Sequence, residues 1–224
     1  MSQQPSTPDP ALTTLVGLAA YTELAAFGLL AARSADAPDL GARQTLATAA
    51  GDSLGRQERL LGLTTVVGPG GAAAAMAPFD GVLADFDART TPSGWAEGLL
   101  KAVVGLGVAQ DLCRELAAGL ADDAADFVAA VGEPRPADPA TAVLAAAAAA
   151  DGVLSARLAL WGRRVVGEAL GLVPVLLAAH PPLAELAARA RAADDDGGAS
   201  VQAWLVSRLT AEHTRRMDRL GLAA

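Results

Sequence analysis

PALTTLVGLAAYTELAAFGLLAA, residues 10–32, decides the fold. Within it Leu12, Val16, Ala19, Glu23, Phe27 and Leu30 recur at three- and four-residue spacing and so line one face of a helix starting at Pro10 or Ala11 and running to about Ala32. Alanine and leucine dominate the rest of the chain, β-branched residues are sparse and isoleucine is absent. Alanine is the best helix former, so this composition favours an all-α fold before any pattern is consulted.

Working outward, residues 1–10 carry three prolines and small polar groups and read as a loose tail. A second helix is expected over Gly41–Leu60, then a long connection over about 61–92, with Gly68-Pro69-Gly70, Pro78, Gly81 and Pro92 leaving room for one helical turn. So long a crossover suits a bundle whose second and third helices run parallel. The third helix should start at Ser93, with its hydroxyl as cap, and run to about Leu120, turning Leu99, Val103, Leu106, Leu112 and Leu116 to the core. Glu97 stands one position late for a capping box with Ser93. A fourth helix from near Asp122 should break at Glu133-Pro134-Arg135-Pro136. A helical stretch is then expected from Ala140 to His180, with Gly152, Gly162, Gly167, Gly171 and Pro174 as candidate kinks. The C-terminal helices fall within about 183–220, Leu183–Ala192 and Ala199–Leu220, with Asp194-Asp195-Asp196-Gly197-Gly198 as a solvated turn between them. Residues 11–224 read as one domain.

The 224 residues hold 17 basic and 25 acidic side chains, a net charge of −8, which argues against a protein that coats nucleic acid. Lys101 is the only lysine and Cys113 the only cysteine, so no disulfide framework exists and a reducing, cytoplasmic setting is expected. The first basic residue is Arg33, which speaks against a signal peptide. The apolar runs Pro139–Ala150 and Ala169–Ala179 fall short of a membrane span, and no membrane partner is expected.

The chemistry inventory is thin. His180 stands at a helix end beside Pro181 and Pro182, where the helix dipole accounts for it, and His213 lies on a polar stretch, at the surface or at a contact between helices. Neither has a metal-binding companion at ligand spacing. Cys113 lacks a helper base and reads as core. The Gly68-Pro69-Gly70-Gly71 run lacks the lysine and strand context of a phosphate loop. Glu23 is the exception: a carboxylate on an apolar face must find a cation or take up a proton. Arg56, at the matching height of the second helix beside Ser53 and Gln57, is its expected partner, with Asp52 a second partner for the arginine. The alternative is a rotated helix that leaves Glu23 half exposed.

Five segments carry a resemblance. Tyr21–Phe27, Gly55–Leu60, Trp95–Ala102, Leu158–Ala169 (with its Leu-Ala-Leu-Trp-Gly-Arg-Arg block) and Leu209–Met217 resemble an actinobacterial ferritin-like group similar to the di-iron tRNA hydroxylase family. The resemblance implies a ferritin-like four-helix bundle with a long crossover connection and additional C-terminal helices. It also implies a two-iron site built from a glutamate on the first helix, Glu-x-x-His on the second, an acid on the third and Glu-x-x-His on the fourth. Glu23 matches the first position. The second pair falls on Ser53 and Arg56 and the fourth near Glu133 and Pro136, with neither histidine present. On the third helix Leu106 stands where relatives carry an acid, and Asp111 is the nearest carboxylate.

The expectation is therefore a vestigial centre of Glu23, Ser53, Arg56, Asp111 and Glu133, flanked by Gln57 and Asp52, with no metal ligand set, no cofactor and no catalytic residue. Function would rest on association, as a homodimer or as a heteromer with a related, active ferritin-like protein, and the alanine run 140–150 would suit close helix packing within or between subunits. Two alternatives stand beside it. One is an atypical oxygenase or hydroxylase; the other is a bundle that binds a small apolar ligand against Glu23, Arg56, Gln57 and Asp111. RNA is not an expected partner, since Arg163, Arg164, Arg215, Arg216 and Arg219 read as solvated or ion-paired.

Overall fold

The computed structural model describes residues 9–63, 70–121, 124–133, 139–194 and 198–224. Asp9 opens α1 (Pro10–Ala35) by accepting from the Ala11 amide, with Pro10 in the first turn, where its missing N–H costs nothing. Asp39 caps α2 (Leu40–Gly62) in the same way, through the Ala42 amide. The two helices form an antiparallel hairpin: Ser34 donates to the Arg43 carbonyl at 2.9 Å, and further along Arg56 lies against Glu23. By length and composition α1 is apolar enough to cross a membrane, which the shorter runs singled out in the sequence did not reveal. Here it is a core helix, packed against α2, the crossover and the third helix.

The crossover holds more helix than one turn: α3 (Gly71–Met76), a 3-10 turn (Ala77–Phe79) and α4 (Ala84–Arg89). Left-handed φ values at Gly70, Gly71 and Gly81 turn the corners between these pieces. Phe79, fully buried, and Phe86 pin them to the bundle.

The third helix is α5 (Trp95–Lys101), a π-helical turn (Ala102–Leu106) and α6 (Gly107–Ala117) in one run. Its N-cap is Gly94, one residue after the expected Ser93. That shift lets Glu97 reach back and accept from both the amide and the hydroxyl of Ser93, at 2.7 Å each. The Trp95 indole donates to the Arg33 carbonyl and Gln110 donates to Glu23, so this helix also runs antiparallel to α1 and hence parallel to α2. The fourth helix is interrupted: α7 (Ala125–Gly132) packs on α6 and α2, and α8 (Pro139–Ala150) on α5 and α2. Ala140, Leu144 and Ala148 are buried there, so the alanine run packs within the chain.

The stretch expected as one helix from Ala140 to His180 is two. Asp151 adopts an extended backbone and accepts from the amides of Val153 and Leu154, which ends α8 and starts α9 (Gly152–Ala179). At His180 the chain bends by 110° into α10 (Pro181–Ala193), and Ser200 caps α11 (Val201–Arg219). α9 packs along α5, the π-turn and α6, and α10 and α11 pack against α6. The molecule is an all-α bundle with added C-terminal helices, and among the described residues no strand occurs.

Candidate functional site

Glu23 sits in the bundle interior, 3% exposed. The Arg56 Nε lies 3.4 Å from its Oε1, and the Gln110 Nε2 donates to the same oxygen at 3.2 Å. Ala19, Thr22, Leu60, Cys113, Arg114 and Val131 close a cavity of about 20 Å³ around these groups. Burial, and next the Glu23 carboxylate, push the Cys113 thiol up to about 12, so it stays protonated and inert.

Of the other expected members, none joins this cluster. Ser53 is buried, but its hydroxyl donates to the Ala49 carbonyl of its own helix. Gln57 turns toward the crossover, its Nε2 3.4 Å from the Met76 sulfur. Asp52 is exposed to solvent and is no partner of Arg56. Glu133 is exposed just past the end of α7, because that helix stops before it. Pro136 lies outside the described residues. Leu106 is buried in the π-turn.

Asp111 faces the opposite way, toward α11. Its Oδ2 meets the Arg216 Nη2 at 2.6 Å and its Oδ1 the Arg114 Nη1 at 3.0 Å. Gly107 makes room for that guanidinium, since a Cβ there would lie 2.4 Å from the Arg216 Nε. One turn earlier on α11, His213 is buried, and neither ring nitrogen has a hydrogen-bond partner. Burial first, and Arg216 next, push its pKa down to about 4, against the pull of Asp111. His180 ends α9 with its ring 4.6 Å from that of Phe79.

Gln110 is the residue that sequence reasoning missed. The π-turn inserts one residue into the helix, so beyond it the face turned to α1 shifts by about one position. A straight helix read forward from Leu99 passes over Gln110 and stops at the nearest acid.

A two-metal carboxylate centre needs glutamates and histidines converging on one point. Here a guanidinium and an amide meet the Glu23 Oε1, and both histidines lie on other elements. Among the described residues no group of three or more His, Cys, Asp and Glu side chains is placed to hold a metal ion. This donor set does not fit such a centre.

The basic pairs are largely engaged within the chain. Arg163 and Arg164 donate to the carbonyls of Ala224 and Arg89, while Arg215 pairs with Glu212 and Arg216 with Asp111.

Compared with known proteins, residues 8–190 match the family described as the ferritin-like domain of actinomycetes. The match ends before α11. No curated protein matches the chain.

Proposed function

The chain belongs to the actinomycete family of ferritin-like domains, and from that premise we propose that it works without a metal centre, by protein–protein association rather than redox chemistry. The observation that carries this reading is Arg56 against Glu23, a fixed cation where the resemblance to di-iron proteins calls for a ligand. The likeness to tRNA hydroxylases is then one of descent and not of reaction. The partner is a second copy of the chain or a related ferritin-like protein, met in the cytoplasm, where a lone buried thiol is stable. On the outward side of α9, Val153 is 79%, Leu160 65% and Val175 61% exposed, which gives association a place.

Sedimentation at micromolar concentration tests this. A dimer is expected, and Leu160→Glu should return it to monomer. A wild-type monomer that also captures no ferritin-like relative in a pull-down would end the association reading.

A further inference from the structure

The outward face of α9 carries more than its exposed apolar side chains. Val153, Arg157, Leu160, Arg164, Glu168, Gly171 and Val175 follow one another at steps of four, three, four, four, three and four residues, so they share one side of the helix. That spacing reads the same from either end and is centred on Arg164. A twofold contact between identical faces asks for such a pattern, since each residue meets the position mirrored across the axis and is met by it in return.

Charge along the face is divided. Its N-terminal half presents Arg157, with a side chain 57% exposed, and its C-terminal half presents Glu168. Beside Glu168, α4 adds Asp85, and a hollow of about 200 Å³ opens between Asp85, Arg89, Glu168, Gly171, Leu172 and Val175. Two carboxylates against one guanidinium leave this hollow net negative. Arg89 lies 3.6 Å from Glu168, while Asp85 has no ion-pair partner among the described residues. Two copies laid parallel would set arginine on arginine. Laid antiparallel, they set each Arg157 over the acidic hollow of the other copy.

Local geometry permits the approach. Gly171 is exposed, and a Cβ there would meet nothing within 4 Å, so bare backbone lies where the partner's Arg157 arrives. Arg157 meets Glu97 through Nε at 3.3 Å, which leaves its two terminal nitrogens for a second carboxylate. Arg164 is tied to the Arg89 carbonyl at the side of α9, which takes its guanidinium off the axis.

We propose that the chain forms a twofold dimer through antiparallel α9 helices centred on Arg164. Each Arg157 enters the hollow of the other copy, and Val153 lies against Val175 of the partner subunit. The inference rests on the association proposed above and supplies its geometry.

Disulfide trapping tests it in the full chain, whose own Cys113 is buried. Arg164→Cys lies on the axis and should give a covalent dimer on mild oxidation. Val153→Cys and Val175→Cys should each give none alone, since the two copies of either position lie about 33 Å apart along the helices, and should couple when mixed. Asp85→Arg, an exposed change that leaves the core untouched, should weaken the dimer by about tenfold or more in sedimentation. A wild-type dimer in which neither Arg164→Cys nor the mixed pair couples, or which Asp85→Arg leaves as tight, would overturn this geometry while association stands. A wild-type monomer would overturn it as well, even where a related ferritin-like chain is captured.

Discussion

Two buried carboxylates, Glu23 on α1 and Asp111 on α6, are each met by guanidinium groups: Glu23 by Arg56, and Asp111 by Arg216 and Arg114. Arginine suits both places because it keeps its charge and is weakly hydrated, so it enters a core at lower cost than lysine. His213, beside the second pair, is the residue whose charge can change. In the folded chain its pKa is lowered to about 4 from the ordinary 6.5. Between those values the unfolded chain binds the extra proton, so this contribution is fully present above pH 6.5 and is lost as pH falls toward 4. A shift of that size corresponds to about 3 kcal/mol. Glu115, whose carboxyl is pushed up chiefly by burial, titrates in the opposite sense, so a variant is needed to isolate the histidine. In His213→Gln, urea denaturation between pH 4.5 and 7 should show a clearly smaller loss of stability on acidification than wild type. An unchanged pH slope would mean that His213 does not carry the effect.

At the scale of elements, helices with an apolar face were legible, and irregular turns were not. The 10–32 stretch has its periodicity, so α1 is found almost to its end. The Glu23–Arg56 pairing was readable because a carboxylate on an apolar stripe demands a cation, and the hairpin sets only a few candidates at that height. α3 and α4 are too short to show a period, and a π-turn leaves no mark in a sequence, so the extra helix within the expected crossover and the role of Gln110 were missed. Gly152 stood as a candidate kink, but that Asp151 ends one helix and caps the next there was not read from the run of strong helix formers around it.

α4 is held by the chain's only lysine. The Lys101 Nζ lies 2.7 Å from Asp87 and 5.0 Å from the centre of the Phe86 ring, and Lys101 itself is buried. Asp87 is largely exposed, so removing the ammonium leaves its carboxylate hydrated. Lys101→Met should therefore cost only about 1 kcal/mol globally while loosening α4 locally. Hydrogen exchange should quicken over residues 84–89 and stay unchanged in α1 and α6. A uniform increase across the bundle would sink the idea of a local latch.

For the whole molecule, the question is what replaces metal as the filler of a bundle interior. Carboxylates pointed inward repel one another unless a cation sits among them. Here the chain provides its own cations, Arg56 from α2, Arg114 from α6 and Arg216 from α11, and α11 lies beyond the span matched to the family. On the metal-free reading proposed above, a bundle closed in this way has nothing to gain from iron. Any ligand that binds the folded state alone raises its stability, by about 2.7 kcal/mol at a hundred times its dissociation constant. The expected outcome of adding Fe(II) anaerobically is thus an unmoved melting temperature, with bound iron below about 0.1 per chain against about two for a working centre. The two readouts are independent, one thermodynamic and one stoichiometric. Iron near one or two per chain together with a raised melting temperature would mean that Arg56 swings away and Glu23 ligates after all. The oxygenase alternative would then displace association as the leading function.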